Sequence, residues 1–237
     1  MSSFPAPASP STVRVVVVGL GGIGSALLPM LASMQLGGIT IIDGDVVEER
    51  NLPRQLLYGK SDVGRLKAQA AMERCDVSGP GRISAECRFL DIGNAADLFQ
   101  GASIIADCTD DLPARALIER TSSELGLPLV SGAVHGSQIQ VLTRHPQHGS
   151  SDQGSRSFFS GRPSEEQEGC DMRDVPVAVT SIAACLMTMR IEDLLRGGDG
   201  LSGMLDLLDV ANGRWMRFRG PGPLEPVDTP IKPMRHA

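Results

Sequence analysis

Aromatic side chains are scarce in this chain: one Trp, one Tyr and six Phe make up 3% of its 237 residues. A surface that binds nucleic acid by stacking bases on aromatic rings therefore has little to build with. Basic residues do not fill that gap, because the formal net charge at pH 7 is -6. This acidic balance argues against a nucleic-acid partner and against binding to an anionic membrane surface.

Paired cysteines are also missing. The five cysteines, Cys75, Cys87, Cys108, Cys170 and Cys185, include no two that are spaced Cys-x-x-Cys. An odd number without a pairing pattern predicts free thiols and a reducing, cytoplasmic environment. His145, His148 and His236 are too scattered to replace four thiolates, so we expect no structural zinc.

Neither end of the chain has the composition of a targeting segment or a membrane anchor. Residues 1–12 lack the basic start and apolar core of a secretory signal, and their Ser, Pro and Ala content predicts a disordered tail. The longest apolar stretch, 176–195, is interrupted by charges before it reaches membrane-spanning length, which favours a buried core helix. Residues 220–237 are expected to be a Pro-rich tail.

Apolar strand-like and helix-like segments alternate along most of the chain. This predicts a single α/β domain over 13–219: a Rossmann-like, doubly wound, mainly parallel sheet with helices on both faces and late antiparallel strands. The polar stretch 145–170 interrupts the pattern as a long loop. Strands are predicted at 13–18, 39–43, 82–89, 102–107, 127–131, 138–143, 203–210 and 214–219, and helices at 25–34, 60–75, 95–99, 112–125 and from 175.

A glycine turn follows the first strand and opens a helix. Its glycines, Gly19, Gly21, Gly22 and Gly24, let backbone N–H groups approach a phosphate at the helix N-terminus. Asp43 ends the second strand, where its carboxylate can accept hydrogen bonds from ribose hydroxyls. We therefore predict a nucleotide site; the alternative is a glycine turn used only for helix–strand packing. Asp45 is included among the nucleotide-binding candidates.

The stretch after Asp43 favours ATP over NAD. Two cations, Arg54 and Lys67, follow within it, together with Asn51 and Gln55. Arg offers a planar fork and Lys a point charge, which suit the β- and γ-phosphates of a triphosphate. The alternative is that both cations are solvated surface charges. If only one of them were present, we would prefer that alternative. A nicotinamide dehydrogenase would leave this cluster unexplained.

Three aspartates, Asp107, Asp110 and Asp111, stand at the end of the fourth predicted strand. A carboxylate that faces a triphosphate requires a divalent ion between them, and Mg²⁺ binds one or two carboxylates plus phosphate oxygens. Asp110 is therefore the candidate Mg²⁺ ligand. The alternative is that Asp110 or Asp111 caps the next helix, which would leave the other free.

The ordered motifs "GLGGIG", "IIDGDVVEERNLPRQLL", "GRLKAQ", "DCTDDLPAR", "PLVSGA" and "VPVAVTSIAACLMTMRIEDLL" resemble the ThiF/MoeB/HesA adenylyltransferases, bacterial relatives of the ubiquitin-activating enzymes. The resemblance implies an enzyme that transfers AMP from ATP to the C-terminal glycine of a small ubiquitin-like sulfur carrier ending in Gly-Gly. It implies a ribose-binding role for Asp43, phosphate binding by Arg54 and Lys67, site shaping by Asn51 and Gln55, and Mg²⁺ binding and catalysis by Asp110. It also implies a homodimer.

The chain departs from that family pattern in several places. Many relatives hold a zinc ion with two Cys-x-x-Cys pairs, and many have an N-terminal arginine that reaches the partner subunit's ATP; this chain has no arginine before Arg14. Asp111 stands where Asn is usual, and Pro53 where Gln or a similar residue is usual. These differences leave the substrate open more than the fold.

Cys170 ends the polar stretch shortly before the late helix. The family has a cysteine at this place that in some members joins the sulfur chemistry. A thiol near a helix N-terminus and Arg173 has a lowered pKa, whereas Glu168 and Asp171 act against this. A covalent role and a bystander role both stay open.

Two functional alternatives remain beside the sulfur carrier. The carboxylate could belong to a small molecule, a peptide or a modified tRNA, although the acidic charge disfavours the last. The chain could be a non-catalytic ATP-binding scaffold, since the arginine and the zinc ligands are missing. Pyrophosphate exchange separates an enzyme from a scaffold.

Overall fold

In the part of the chain that the structure describes, nine strands form one sheet in the order β3-β2-β1-β4-β5-β6-β7-β8-β9. The structure is a computed structural model, and it describes residues 10–34, 36–76, 82–145, 158–159, 175–198, 201–219 and 225–226. Cys170, residues 1–9, most of the 145–170 stretch and most of the 220–237 stretch lie outside the described residues.

The first five strands are parallel neighbours and form the half of the sheet in which the predicted nucleotide site lies. Their apolar residues face helices on both sides, which explains the nearly continuous Val and Ile runs. The strands are β1 Arg14–Val18, β2 Gly38–Ile42, β3 Ile83–Glu86, β4 Ile104–Asp107 and β5 Leu129–His135.

The remaining strands extend the sheet in antiparallel fashion beyond β5. A tight turn with Gly136 at φ 55° connects β5 to the next strand, so the two form a hairpin. These strands are β6 Gln138–Arg144, β7 Met204–Asp209, β8 Arg214–Arg219 and β9 Glu225–Pro226. The predicted late antiparallel strands are thereby confirmed.

The helices cover both faces of the sheet, as a doubly wound fold requires. On one face, α1 Gly22–Ser33, α2 Lys67–Cys75 and α5 Val177–Leu195 bury Val15, Val17, Ile39 and Ile41. On the other face, α3 Ala95–Phe99 and α4 Leu112–Glu124 bury Val16, Val18 and Ile42. Within the described residues, no helix combines the length and hydropathy needed to cross a membrane.

Several predicted elements begin or end elsewhere than expected, including the strand predicted at 127–131, which is β5 and ends at His135. The predicted helix 60–75 is wrong in its first half: Lys60–Asp62 form a short 3-10 turn, and α2 begins only at Lys67. Gly64, at φ 85°, interrupts the helix, and Asp62 accepts a hydrogen bond from the Gly59 N–H at 2.8 Å, while Ser61 does not cap α2. The first helix begins at Gly22 rather than Ser25, and the predicted strand 82–89 shortens to β3.

Candidate functional site

The glycine turn after β1 is compressed so strongly that side chains are excluded at two positions. Gly19 has φ +87°, and a Cβ there would lie 3.0 Å from the Cys108 carbonyl group. A Cβ at Gly24 would lie 1.9 Å from the Gly19 oxygen. Gly21 precedes α1 without a side-chain cap, so its first turn presents backbone N–H groups of the kind that bind anions.

Asp43, directly after β2, is bound to this turn. Its Oδ2 accepts a hydrogen bond from the Leu20 N–H at 2.7 Å, and its Oδ1 accepts one from the Asp45 N–H at 2.8 Å. Burial raises the pKa of the Asp43 carboxyl group, and the positive charge of Lys67 counteracts part of that increase. A carboxylate held in this way by the backbone is preorganised to accept further hydrogen bonds from a ribose.

Lys67 is the first residue of α2, and its ammonium group lies on the same side of the site. Its Nζ is 2.9 Å from Asp45 Oδ2, and the lysine side chain is 7% exposed against 55% for the aspartate. The Tyr58 hydroxyl donates to the Leu20 carbonyl oxygen at 3.1 Å and lies 3.5 Å from the Lys67 carbonyl oxygen. Tyr58 therefore connects the glycine turn to the start of α2, which brings Asp43 and Lys67 together.

The segment that contains Asn51, Arg54 and Gln55 passes beside the glycine turn. The Arg54 guanidinium donates to Asn51 Oδ1 at 2.7 Å, which orients it. Gln55 is 3% exposed, its Oε1 has no hydrogen-bond partner among the described residues, and its Nε2 is 3.9 Å from the Cβ position of Gly21. A buried amide that lacks a partner beside a phosphate-type turn has unused hydrogen-bonding capacity for a ligand.

The three aspartates after β4 have different environments. Asp107 is buried and accepts hydrogen bonds from the Thr109 and Ser131 hydroxyls at 2.7 and 2.6 Å. Asp111 is the N-cap of α4 and accepts from the Ala114 N–H at 2.9 Å. Asp110 is exposed, and its side chain has no hydrogen bond or ion pair within the described part of the chain. Of the two capping candidates, Asp111 caps and Asp110 is left available.

Asp110 adjoins the glycine turn, because the Thr109 N atom is 3.2 Å from the Cβ position of Gly19. No cluster of three or more metal-binding side chains occurs among the described residues. Mg²⁺ needs no such cluster when substrate phosphates supply its other ligands. One exposed carboxylate beside a phosphate-type turn therefore fits Mg²⁺ bound together with ATP.

Sequence analysis missed two buried charged residues on α4, Arg115 and Glu119. They are 6% and 1% exposed, and they stand four residues apart on the same helix face. The Arg115 guanidinium contacts the turn that carries Asp110, since its Nε donates to the Thr109 carbonyl oxygen at 3.1 Å. The only sequence signal was a pair of opposite charges inside "LPARALIE", which also suits a solvated helix face.

The sheet order, the glycine turn at the ends of β1 and β4, and the carboxylate after β2 define a Rossmann-like nucleotide-binding domain. The model of the ThiF family matches residues 9–224, which is most of the chain. The chain therefore belongs to the ThiF family.

Curated relatives agree with this assignment. Adenylyltransferase and sulfurtransferase MOCS3-2 of Zea mays is 31% identical over 217 residues, which are 90% of this chain and 45% of the relative. The MOCS3 protein of Sus scrofa is 30% identical over 217 residues, covering 88% of this chain and 46% of that protein. The chain thus spans a little under half the length of these relatives.

Solved structures share the fold at low sequence identity. E. coli MccB, crystallised with MccA-N7isoASN, superposes with a TM-score of 0.74 at 16% identity, covering 90% of this chain and 66% of that one. MccB crystallised with ATP gives a TM-score of 0.69 at 17% identity, covering 90% and 65%. PaaA gives 0.69 at 21% identity, covering 89% and 64%. These similarities support the fold.

Proposed function

We propose that the chain is an ATP-dependent adenylyltransferase that activates the C-terminal carboxylate of a ubiquitin-like sulfur carrier ending in Gly-Gly. The observation that carries the proposal is the exposed Asp110 carboxylate beside a glycine turn that also adjoins Asp43 and Lys67. The names of the MOCS3 relatives, which combine adenylyl transfer and sulfur transfer, support this reaction class.

The chemistry needs no nucleophile from the protein. An oxygen of the substrate carboxylate bonds to the α-phosphorus of ATP, the bond from that phosphorus to the α–β bridging oxygen breaks, and pyrophosphate leaves. Asp43 would hold the ribose, and the N–H groups at the start of α1 would hold phosphate oxygens. Arg54 and Lys67 would neutralise the charge of the departing pyrophosphate, for which Lys67 exchanges its contact with Asp45 for a phosphate oxygen.

Asp110 would hold Mg²⁺, which supplies charge neutralisation between the carboxylate and the triphosphate. The remaining contribution of the protein is positioning: a fixed glycine turn, an oriented Arg54 and a ribose carboxylate hold the α-phosphate where the substrate can attack it. A cytoplasmic location and the absence of structural zinc stay predictions, and the covalent and bystander roles of Cys170 both stay open.

A homodimer is part of the proposal. Leu56 and Met189 are 63% and 57% exposed, and Pro29 on α1 and Cys185 on α5 are also exposed. Helices α1 and α5 pack together, so these residues form an apolar surface of the kind that a second subunit covers. Sedimentation at micromolar concentration should show a dimer, and Met189→Glu should shift it towards the monomer.

Ligand-induced stabilisation tests the nucleotide. ATP with Mg²⁺ at a hundred times its dissociation constant should stabilise the native chain by about 2.7 kcal/mol, and NAD should not. Stabilisation by NAD without any by ATP would overturn the assignment. ATP binding without pyrophosphate exchange, tested with a purified Gly-Gly carrier and with small carboxylic acids, would instead favour the scaffold.

Two neighbouring aspartates provide a matched test of catalysis. Asp110→Ala should fold normally and lose pyrophosphate exchange by about 10²–10³-fold, as for other removed electrostatic groups. Asp111→Ala should lose about 1 kcal/mol of stability with its N-cap but keep exchange. Near-wild-type exchange in Asp110→Ala would contradict the Mg²⁺ role.

A further inference from the structure

Arg115 and Glu119 of α4 are buried charged side chains to which the proposed reaction gives no part. A buried charge is costly unless several partners compensate for it, so such a pair is retained only where its contacts are extensive. The partners of this pair come from β4, from β5 and from a part of the chain remote in sequence.

Arg115 connects the ends of two parallel strands. Its Nε is 3.5 Å from Asp107 Oδ2 and donates to the Thr109 carbonyl oxygen at 3.1 Å, both in the segment that leaves β4. Its Nη2 donates to the Gly132 carbonyl oxygen on β5. The guanidinium thus fixes the backbone directly before Asp110 relative to the neighbouring strand.

An aromatic ring lies against the same guanidinium. The Arg115 Cζ is 5.1 Å from the centre of the Phe159 ring, within the range of a cation–π contact. Arg115 is 6% exposed, so the ring takes part in keeping water from the hydrogen bond to Thr109. Water that reached this guanidinium would compete for the same donors and weaken its hold on the turn.

Glu119 determines where that ring lies. Its Oε1 accepts a hydrogen bond from the Phe158 N–H at 3.0 Å, and its Oε2 lies 3.4 Å from the Phe159 N atom. Arg144 on β6 donates to Glu119 Oε1 at 2.6 Å. One carboxylate on α4 therefore binds the backbone of both phenylalanines, although they follow it by 39 and 40 residues.

We propose that Arg115 is a positioning residue for Asp110. Phe159 covers the Arg115 guanidinium, and Glu119 binds the backbone of Phe159. This inference rests on the proposed Mg²⁺ role of Asp110. Asp110 has no partner of its own within the described residues, so its position depends on the turn that Arg115 fixes. If the turn loses its contacts with Arg115, Mg²⁺ must order the turn when it binds. Mg²⁺-dependent ATP binding therefore weakens.

The test compares two adjacent phenylalanines. Phe159→Leu removes the ring over Arg115, whereas Phe158→Leu leaves that ring and the backbone donors to Glu119 in place. For each full-length variant, calorimetry measures the ATP dissociation constant with and without Mg²⁺. The Mg²⁺ ratio is the dissociation constant without Mg²⁺ divided by the constant with Mg²⁺. We expect Phe159→Leu to lower this ratio by about threefold to tenfold, the equivalent of one cation–π contact, and Phe158→Leu to leave it unchanged.

Hydrogen exchange supplies a reading that does not involve ligand. The backbone amides of residues 108–111 should exchange faster in Phe159→Leu than in the wild type or Phe158→Leu. Arg115→Ala should show the same two changes, and Arg115→Lys should restore part of both. An unchanged Mg²⁺ ratio in Phe159→Leu, or an equal decrease in both phenylalanine variants, would overturn the inference.

The Asp110→Asn variant separates this failure from failure of the proposed function. If Asp110→Asn removes the effect of Mg²⁺ on ATP binding and Phe159→Leu does not change it, the metal role stands and only the positioning role is wrong. If Asp110→Asn itself leaves the Mg²⁺ ratio unchanged, the metal role fails and the positioning inference fails with it.

Discussion

Each half of the sheet contains a strand with one buried aspartate, Asp107 in β4 and Asp206 in β7, and the two are used differently. Asp107 at the end of β4 is bound by the Thr109 N–H and by the Thr109 and Ser131 hydroxyls, with Arg115 further away at 3.5 Å. Asp206 in β7 is bound mainly by positively charged side chains. The first aspartate shapes a turn next to the candidate site, and the second cross-links elements remote from that turn.

The contacts of Asp206 join three elements. Its Oδ2 accepts from Arg190 of α5 at 2.6 Å, and its Oδ1 accepts from Arg217 of β8 at 2.7 Å and from the Trp215 indole N–H at 3.2 Å. Asp206 is 3% exposed. The antiparallel half is therefore held to α5 by an ionic cluster in addition to apolar packing, whereas the strands of the parallel half are held by continuous apolar packing. Stability and ligand binding should accordingly respond to different substitutions.

The largest expected effect is on stability, in the antiparallel half. Asp206→Ala leaves the partly buried Arg190 and Arg217 guanidinium groups without their carboxylate and should lower the free energy of unfolding by about 3 kcal/mol, the lower end of the range for a broken buried pair. Urea unfolding measures this. Asp209→Ala at the end of the same strand, where the partners are Asn212 and Ser137, should lower the urea midpoint much less, because Asp209 is itself partly exposed. Folded Asp206→Ala should still be stabilised by ATP; loss of that response would show that the halves are not independent.

A glycine substitution should produce the opposite result in the parallel half. Gly24→Ala forces the Gly19 carbonyl away, with a cost of about 1–3 kcal/mol, and should abolish stabilisation by ATP because the turn can no longer approach a phosphate. Gly21→Ala, whose Cβ would meet only Gln55 Nε2 at 3.9 Å, should unfold at nearly the wild-type urea concentration. If Gly24→Ala still binds ATP, the glycine turn is not part of the nucleotide site.

The smallest expected effect is on the rates of cysteine modification, which report how well the parallel half of the sheet excludes solvent. Burial raises the pKa of the Cys75 thiol to about 11, and burial also raises the pKa of Cys108 well above its usual range. A thiol with a pKa near 11 is only about 0.1% thiolate at pH 8. At that pH, iodoacetamide should modify the exposed Cys87 before Cys75 and Cys108. Peptide mapping that found Cys75 modified as fast as Cys87 would contradict the packing of α2 against β3.

The sequence was most informative where the structure depends on local patterns. The Val run of β1, the glycine turn and the helix Ala95–Phe99 follow from hydrophobic periodicity and backbone freedom within a few residues. The cap at Asp111 also follows from such a pattern, although the sequence could not decide between Asp110 and Asp111. That decision depends on which carboxylate meets the Ala114 N–H once the turn after β4 has formed.

Long-range contacts explain what sequence analysis missed. Arg115 and Glu119 are buried because Phe158, Phe159 and Arg144 reach them across at least 25 residues of chain. The predicted helix from Lys60 failed for a nearer reason, since Asp62 binds Arg65 and Arg74 and stabilises the interruption at Gly64. Asp206 did carry a signal: an acidic residue inside the apolar run "MLDLLD" must have buried partners.

The late start of α2 has a consequence for protein engineering. Lys67 occupies the first position of the helix, where the positive end of the helix dipole disfavours a cation, and the first turn contains no acidic residue. Substituting Lys67 with Glu is what a designer of stable helices would choose, and it would place a second negative charge beside Asp45 and the triphosphate. Sequence optimisation for thermostability should therefore hold position 67 fixed, because the proposed phosphate-binding role of Lys67 requires a cation at this unfavourable helix start.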